Sequence, residues 1–245
     1  MNIKRHSFKV FKILYEDENI IVVNKAAGIL VIPDQHTQET QTLLGKLKKF
    51  TNQKIWVIHR VDRDTTGVLV FAKNANAHKF ISMQFENRTV TKKYTALVNG
   101  VIEENEGIID KNILVEARSV TISEFGATAQ TKYKVIERFK NYTLVDVYPI
   151  TGRRHQIRIH FWYLGHPLAI DAEYGSSEAI LLSSLKKKYK IKKDAERPLI
   201  NRLTLHASDL TLEVPDKGLK TFHAPLPDDF TLTLKQLRKY NSGGF

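Results

Sequence analysis

The sequence predicts an α+β fold built on a mixed, largely antiparallel β-sheet flanked by helices and loops. Three observations predict it. Short apolar, β-branched runs recur along the whole chain while helix-spaced segments fall between them irregularly, so no strict strand–helix alternation imposes a parallel sheet. Hydrophobic residues at 42% and charged residues at 26% are the balance of a chain of 245 that buries an ordinary core. No internal repeat, low-complexity tract or Gly/Ser linker divides it, so residues 1–245 read as a single domain.

The elements follow in order. Ile20 to Val23 and Ile29 to Ile32 are strand-like, with Lys25-Ala26-Ala27-Gly28 as the turn between them. Gln41 to Phe50 has helical spacing, with Leu43, Leu44 and Leu47 on one face. Val68 to Ala72 is a strand. Asn74 then caps a helix to about Glu86 that buries Ala77, Phe80, Ile81 and Phe85. Lys93 to Val98, Ala129 to Ile136 and Tyr142 to Tyr148 alternate as strands. Thr151-Gly152 starts a helix through Arg154, Ile157, Phe161 and Leu164, ended by Gly165 with Pro167 close behind. Leu203 to His206 and Leu210 to Glu213 are late strands, and the charged, aperiodic stretch Ser183 to Arg197 is a surface insertion.

Charge points to the partner. A formal net charge of +12 favours polyanions, because Lys and Arg contacts to phosphates release condensed counterions. Basic patches at Lys46 to Lys49, Lys92-Lys93, Arg153-Arg154 and Lys186 to Lys193 are spread along the chain, which favours nucleic acid over a membrane surface. No apolar run approaches the roughly 18–20 residues of a membrane span. Met1 to Phe8 lacks the apolar core of a signal peptide. The absence of cysteine excludes disulfides, thiolate catalysis and cysteine-bound zinc, and fits a cytoplasmic protein.

Three segments can carry chemistry. In His59-Arg60-Val61-Asp62-Arg63-Asp64-Thr65-Thr66-Gly67, carboxylates lie among arginines just before an apolar strand. Positive charge within a few ångströms lowers a carboxyl pKa by about 1–3 units, so such a group stays ionised as a nucleophile, a base, a metal ligand or a loop salt bridge. In Thr151 to His160, three arginines crowd a helix start against its dipole, which calls for a local charge partner or a phosphate. His155 and His160 are five apart with no glutamate between them, so they do not form the paired-histidine zinc motif, and no metal site is expected. In Lys92 to Gly100, a tyrosine beside Lys93 at a strand start suits either core packing or base stacking. The chain has neither glycine-rich phosphate loop nor G-x-S-x-G elbow, which leaves nucleotide-driven and serine-hydrolase chemistry without support.

Together and in this order, the segments resemble the RluA family of RNA pseudouridine synthases. His59 to Gly67 is similar to the family's H-R-L-D-x-x-T-S-G, with Val61 and Thr66 as departures. Lys92 to Gly100 resembles its K-x-Y segment, and Gly152 to His160 its G-R-x-H-Q-I-R-x-H. Gly165-His166-Pro167, Asp171 and Tyr174-Gly175 continue that motif, with Ile170 where the family often has glycine. Arg202, Leu205-His206-Ala207, Phe222 and Ala224 to Pro227 match its closing segment. The likeness runs from about residue 11 to 240 and implies the pseudouridine synthase fold with a catalytic cleft across the sheet. Many relatives carry an N-terminal RNA-binding S4 domain, which is not expected here.

The resemblance implies isomerisation of a specific uridine in structured rRNA or tRNA, with neither redox cofactor nor energy source. Asp62 would attack the sugar as a nucleophile or remove a ribose proton as a base. Arg158 would pair with Asp62, and Tyr94 would stack on the extracted uracil. Arg60 would fill the gap left by the flipped base. Arg63, Lys93, Arg154 and His155 are the further RNA-binding candidates, and the enzyme is expected to act as a monomer without an obligate protein partner. Two other readings stand beside this one. Asp62-Arg63-Asp64-Thr65 also matches the Asp-x-Asp-Thr signature of magnesium-dependent phosphohydrolases, which EDTA would silence. Charge alone would fit a non-catalytic RNA-binding protein.

Overall fold

The computed structural model describes residues 7–8, 10–117, 119–186, 189 and 196–243. Most of the basic run Lys186 to Lys193, and Met1 to His6, lie outside the described residues. In chain order the first strands are β1 (Ser7–Phe8), β2 (Phe11–Glu16), β3 (Ile20–Lys25), β4 (Trp56–Val57), β5 (Thr66–Ala72), β6 (Thr91–Asn99) and β7 (Glu106–Asp110). They are followed by β8 (Ile113–Val115), β9 (Val120–Ile122), β10 (Gln130–Arg138), β11 (Tyr142–Pro149), β12 (Leu205–Val214) and β13 (Gly218–His223). The helices are α1 (Leu43–Thr51), α2 (Ala75–Glu86), α3 (Gln156–Tyr163), α4 (Leu182–Leu185) and α5 (Asp228–Tyr240).

The chain forms two compact units, Met1–Lys93 with His206–Pro225, and Tyr94–Leu205 with Leu226–Phe245. In the first, β1, β2, β3 and β5 run antiparallel in that order. The other edge of β5 takes β12 at its start, in parallel, and β4 at its end. Every residue of β5 is buried, which is why Val68 to Ala72 reads as an unbroken apolar run and not as an alternation. Asn74 caps α2 as its sequence position predicts, its Oδ1 accepting from the Ala77 N–H at 2.9 Å. Ala77 and Ile81 are buried, but Phe80 is exposed.

Ile29 to Ile32 forms no strand. The carbonyls of Leu30 and Val31 accept from the N–H groups of Leu43 and Leu44 at the start of α1, so the segment has no ladder to join. Its apolar residues still pack: Ile29 and Val31 join Leu43, Leu44, Leu47, Leu69 and Phe71 in one core cluster.

In the second unit, β6, β11, β10 and β7 are antiparallel neighbours, and β8 and β9 form a separate hairpin. Ala96, Val98, Val145 and Val147 of this sheet pack on Ile157 and Phe161 of α3. Phe230, Leu234 and Leu237 of α5 build a further cluster with Phe139, Leu144 and Ile200. The architecture is thus the expected α+β type with a mixed, largely antiparallel pairing, in which β5 and β12 run parallel. The two late strand-like runs are one strand, β12, which continues through Ser208 and Asp209 because the side chains of both find partners, on the Lys93 carbonyl and on His223.

Candidate active site

The loop from His59 to Thr66 leads directly into the buried strand β5, and long-range bonds within the first unit fix its shape. Lys25, at the end of β3, is only 1% exposed. Its ammonium donates to the carbonyls of Ala26, Arg63 and Thr65 at 2.9, 2.7 and 2.8 Å, matching its three donors with three acceptors. Asp64 accepts from the Gly28 N–H at 3.1 Å and so ties the loop to the turn after β3, and Arg63 Nε reaches the Gly28 carbonyl at 3.4 Å. Thr66 Oγ1 lies 2.8 Å from Nδ1 of the fully buried His206, whose Nε2 is 2.9 Å from the Ala224 carbonyl. That Nε2 must donate to a carbonyl, so in the neutral ring the Thr66 hydroxyl donates to Nδ1. Gly67 has φ +115°, and a Cβ there would sit 2.1 Å from the Ala207 carbonyl oxygen, so the parallel strand approaches too closely for any side chain. Asp62 is half-buried in this braced loop, and the Thr65 N–H bonds its carbonyl at 3.2 Å, while Arg60 and Arg63 are exposed.

His59 opens the motif but plays a structural part. Its Nε2 accepts from the Val70 N–H at 3.1 Å, and its ring stacks on Phe85 of α2 at 4.7 Å. Burial, aided by the Lys92 charge, pushes its pKa down to about 3. The folded ring therefore refuses a proton that the unfolded ring accepts near pH 6.5, so stability present above pH 6.5 drains away as the pH falls toward 3. His59→Gln keeps an acceptor for Val70 but does not titrate. In urea titrations between pH 7 and 4 it should lose stability less steeply than wild type, by up to about 1.4 kcal/mol per pH unit. Equal slopes would show that His59 does not stay neutral.

The arginine-rich segment departs from its expected form. The helix begins at Gln156, so Arg153 and Arg154 precede it and Arg154 is not a helical neighbour of Arg158. The cause is Gln156, a buried amide around which Thr151 to His155 wraps. Its Oε1 accepts from Thr151 Oγ1 and the Arg153 N–H at 2.7 and 3.0 Å, and its Nε2 donates to the Gln130 carbonyl and Thr131 Oγ1. His155 then turns the chain into the helix with a left-handed φ of 54°. The crowding of three arginines against the dipole dissolves, since only Arg158 lies on the helix.

Arg158 has the local charge partners that its position demands. Nε and Nη2 donate to the two oxygens of Asp171 at 2.8 and 2.7 Å, and Nη2 also reaches Glu173 at 3.0 Å. The guanidinium lies 5.0 Å from the centre of the Tyr174 ring. Asp171 is 1% exposed; burial pushes its carboxyl up, but Arg158 and the N–H groups of Glu173 and Tyr174 outweigh this and hold it below the ordinary range. His155 joins the same cluster, with Nδ1 3.0 Å from the Tyr174 hydroxyl and 3.2 Å from Glu173. Burial, and then the Glu173 charge, push the Tyr174 phenol up. Ile170, where the family often has glycine, is buried without a left-handed backbone, so the turn into Asp171 needs no glycine here. Tyr94, the fourth residue of β6, packs half-buried against the core of the second unit, and Arg154 donates to the Glu116 carbonyl at 3.4 Å.

Sequence reasoning missed the roles of Lys25 and His206 and noted Asp171 only as a motif match. A buried lysine has no local signature, because two of its three acceptors come from residues about forty positions away.

Known proteins account for this combination. The family model described as RNA pseudouridylate synthase matches residues 19–163. The chain is 36% identical over 238 residues to an uncharacterized RNA pseudouridine synthase, YlyB, of Bacillus subtilis, covering 93% of this chain and 73% of that one. It is 35% identical to ribosomal large subunit pseudouridine synthase D of Pseudomonas aeruginosa, over 93% of this chain and 72% of the other. The solved structure of human RNA pseudouridylate synthase domain containing 4 superposes with a TM-score of 0.73 at 27% identity, covering 92% of each chain. The chain therefore belongs to the RNA pseudouridylate synthase family, as its RluA-type motifs implied, and is an isomerase that makes pseudouridine in RNA.

Proposed function

We propose that Asp62 starts the isomerisation, as nucleophile or base, on a uridine in structured rRNA or tRNA. The observation that carries this reading is the bracing of its loop: a buried lysine, a buried histidine and a glycine that admits no Cβ all brace the loop on which the half-buried Asp62 sits. Such investment in a loop is what preorganised catalysis requires. The reaction breaks the N1–C1′ bond, turns the uracil and joins C5 to C1′; the proton leaves C5 and N1 gains one, so the atoms balance without a co-reactant. Arg158 orients Asp62, Tyr94 stacks on the uracil, and Arg60 fills the gap in the RNA stack. Arg63, Lys93, Arg154 and His155 contact the RNA backbone, consistent with the net charge of +12.

Residues 1–245 act as one catalytic domain, as a monomer in the cytoplasm, and large-subunit rRNA is the first substrate to test, given what the Pseudomonas relative is named for. Among the described residues no helix is long and apolar enough to cross a membrane. Pseudouridine mapping of rRNA and tRNA from a deletion strain and its parent should show a missing site, restored in vitro by the purified protein in EDTA with prefolded transcript. A complete pseudouridine map in the deletion strain, or failure of the protein to modify the missing site, would refute the substrate assignment.

A further inference from the structure

Among the described residues, Thr65 Oγ1 is the buried side-chain polar atom that finds no hydrogen-bond partner. Thr65 is 1% exposed, and the groups around it in the loop are matched: its carbonyl by Lys25, its N–H by the Asp62 carbonyl, and the hydroxyl of Thr66 by His206. A hydroxyl that makes no bond in the folded protein adds nothing to stability and carries the cost of losing water. Valine has the same shape and avoids that cost. The hydroxyl therefore calls for a role outside the fold. The bond from the Thr65 N–H to the Asp62 carbonyl closes a turn that opens at Asp62, so hydroxyl and carboxylate belong to one short turn whose far end Lys25 pins.

We propose that Thr65 is a positioning residue whose hydroxyl donates to the Asp62 carboxylate during the reaction. The proposal rests on the reading of Asp62 as the group that starts the isomerisation. A donor held ready but unused in the resting protein is a local cost accepted for function, the usual form of a stability–activity trade-off.

The test compares Thr65→Val, Thr65→Ser and Asp62→Ala on a transcript carrying the mapped uridine. Thr65→Val should melt at or above the wild-type temperature, with kcat lowered about 10- to 100-fold, as expected for losing a bond to a charged group, and KM within about twofold. Thr65→Ser, which keeps the oxygen, should retain most of kcat. Wild-type kcat in Thr65→Val overturns the proposal. So does a loss confined to KM, which would place the hydroxyl on the RNA, or a lowered melting temperature that accounts for the lost activity. Turnover by Asp62→Ala would instead remove the reading beneath it.

Discussion

Asp62→Ala should abolish pseudouridine formation while RNA affinity stays within a few-fold of wild type. Removing a reacting group of this kind lowers turnover by about four orders of magnitude or more. Affinity survives because it is dominated by cation–phosphate contacts, and the change removes none of them. The fold should survive too. Lys25 holds the loop through backbone carbonyls, and Asp64 and Thr66 hold it through their own side chains, so none of the bracing bonds described runs through the Asp62 carboxylate. Single-turnover assays and filter binding on the same transcript separate the two effects. Turnover above about 1% of wild type would be too much for the enzyme to depend on Asp62 chemically.

Asp171→Ala should be the most damaging change to stability. Its carboxylate is buried and makes two charge-assisted bonds to Arg158, besides accepting the N–H groups of Glu173 and Tyr174. Removing one partner of a buried pair costs about 3–5 kcal/mol, because the other charge remains buried. For a chain of this size, that lowers the melting temperature by roughly 6–20 °C. Glu173 limits the loss only in part, since it meets Nη2 alone and its side chain is 41% exposed. The same pair sets a pH dependence. The Asp171 carboxyl titrates below its ordinary value of 3.8 when folded, so its contribution is complete above that value and lost as the pH falls through the lowered one. The stability gap between wild type and Asp171→Asn should thus be constant from pH 7 to 5 and narrow below about 4. An equal gap at pH 3 would assign the loss to packing and not to charge.

These two residues divide the molecule according to what can be read from a sequence. The motif that carries Asp62 was legible because it is local: nine consecutive residues carry the pattern, and the apolar strand that follows marks the loop's end. The Asn74 cap, the α2 helix and strands β6, β10 and β11 were legible for the same reason, since capping and periodicity depend on neighbours within a few residues. Where a local pattern met a distant partner, the reading failed. Thr151 to His155 has the composition of a helix start, yet Gln156 gathers it into a loop by bonding Gln130 and Thr131 from another strand. Ile29 to Ile32 has the composition of a strand, yet its carbonyls are taken by α1.

The sequence by itself determined the fold class and the family and singled out the carboxylate proposed to start the chemistry, because each is written in residue types at short and ordered spacings. Only the tertiary structure decided how those groups are held: Lys25 beneath the loop, His206 on Thr66, Asp171 on Arg158, and the Thr65 hydroxyl without a partner. The physical reason is that a hydrogen bond or an ion pair needs atoms within about 3 Å of each other, and residues far apart along the chain meet at that distance only once the core has packed.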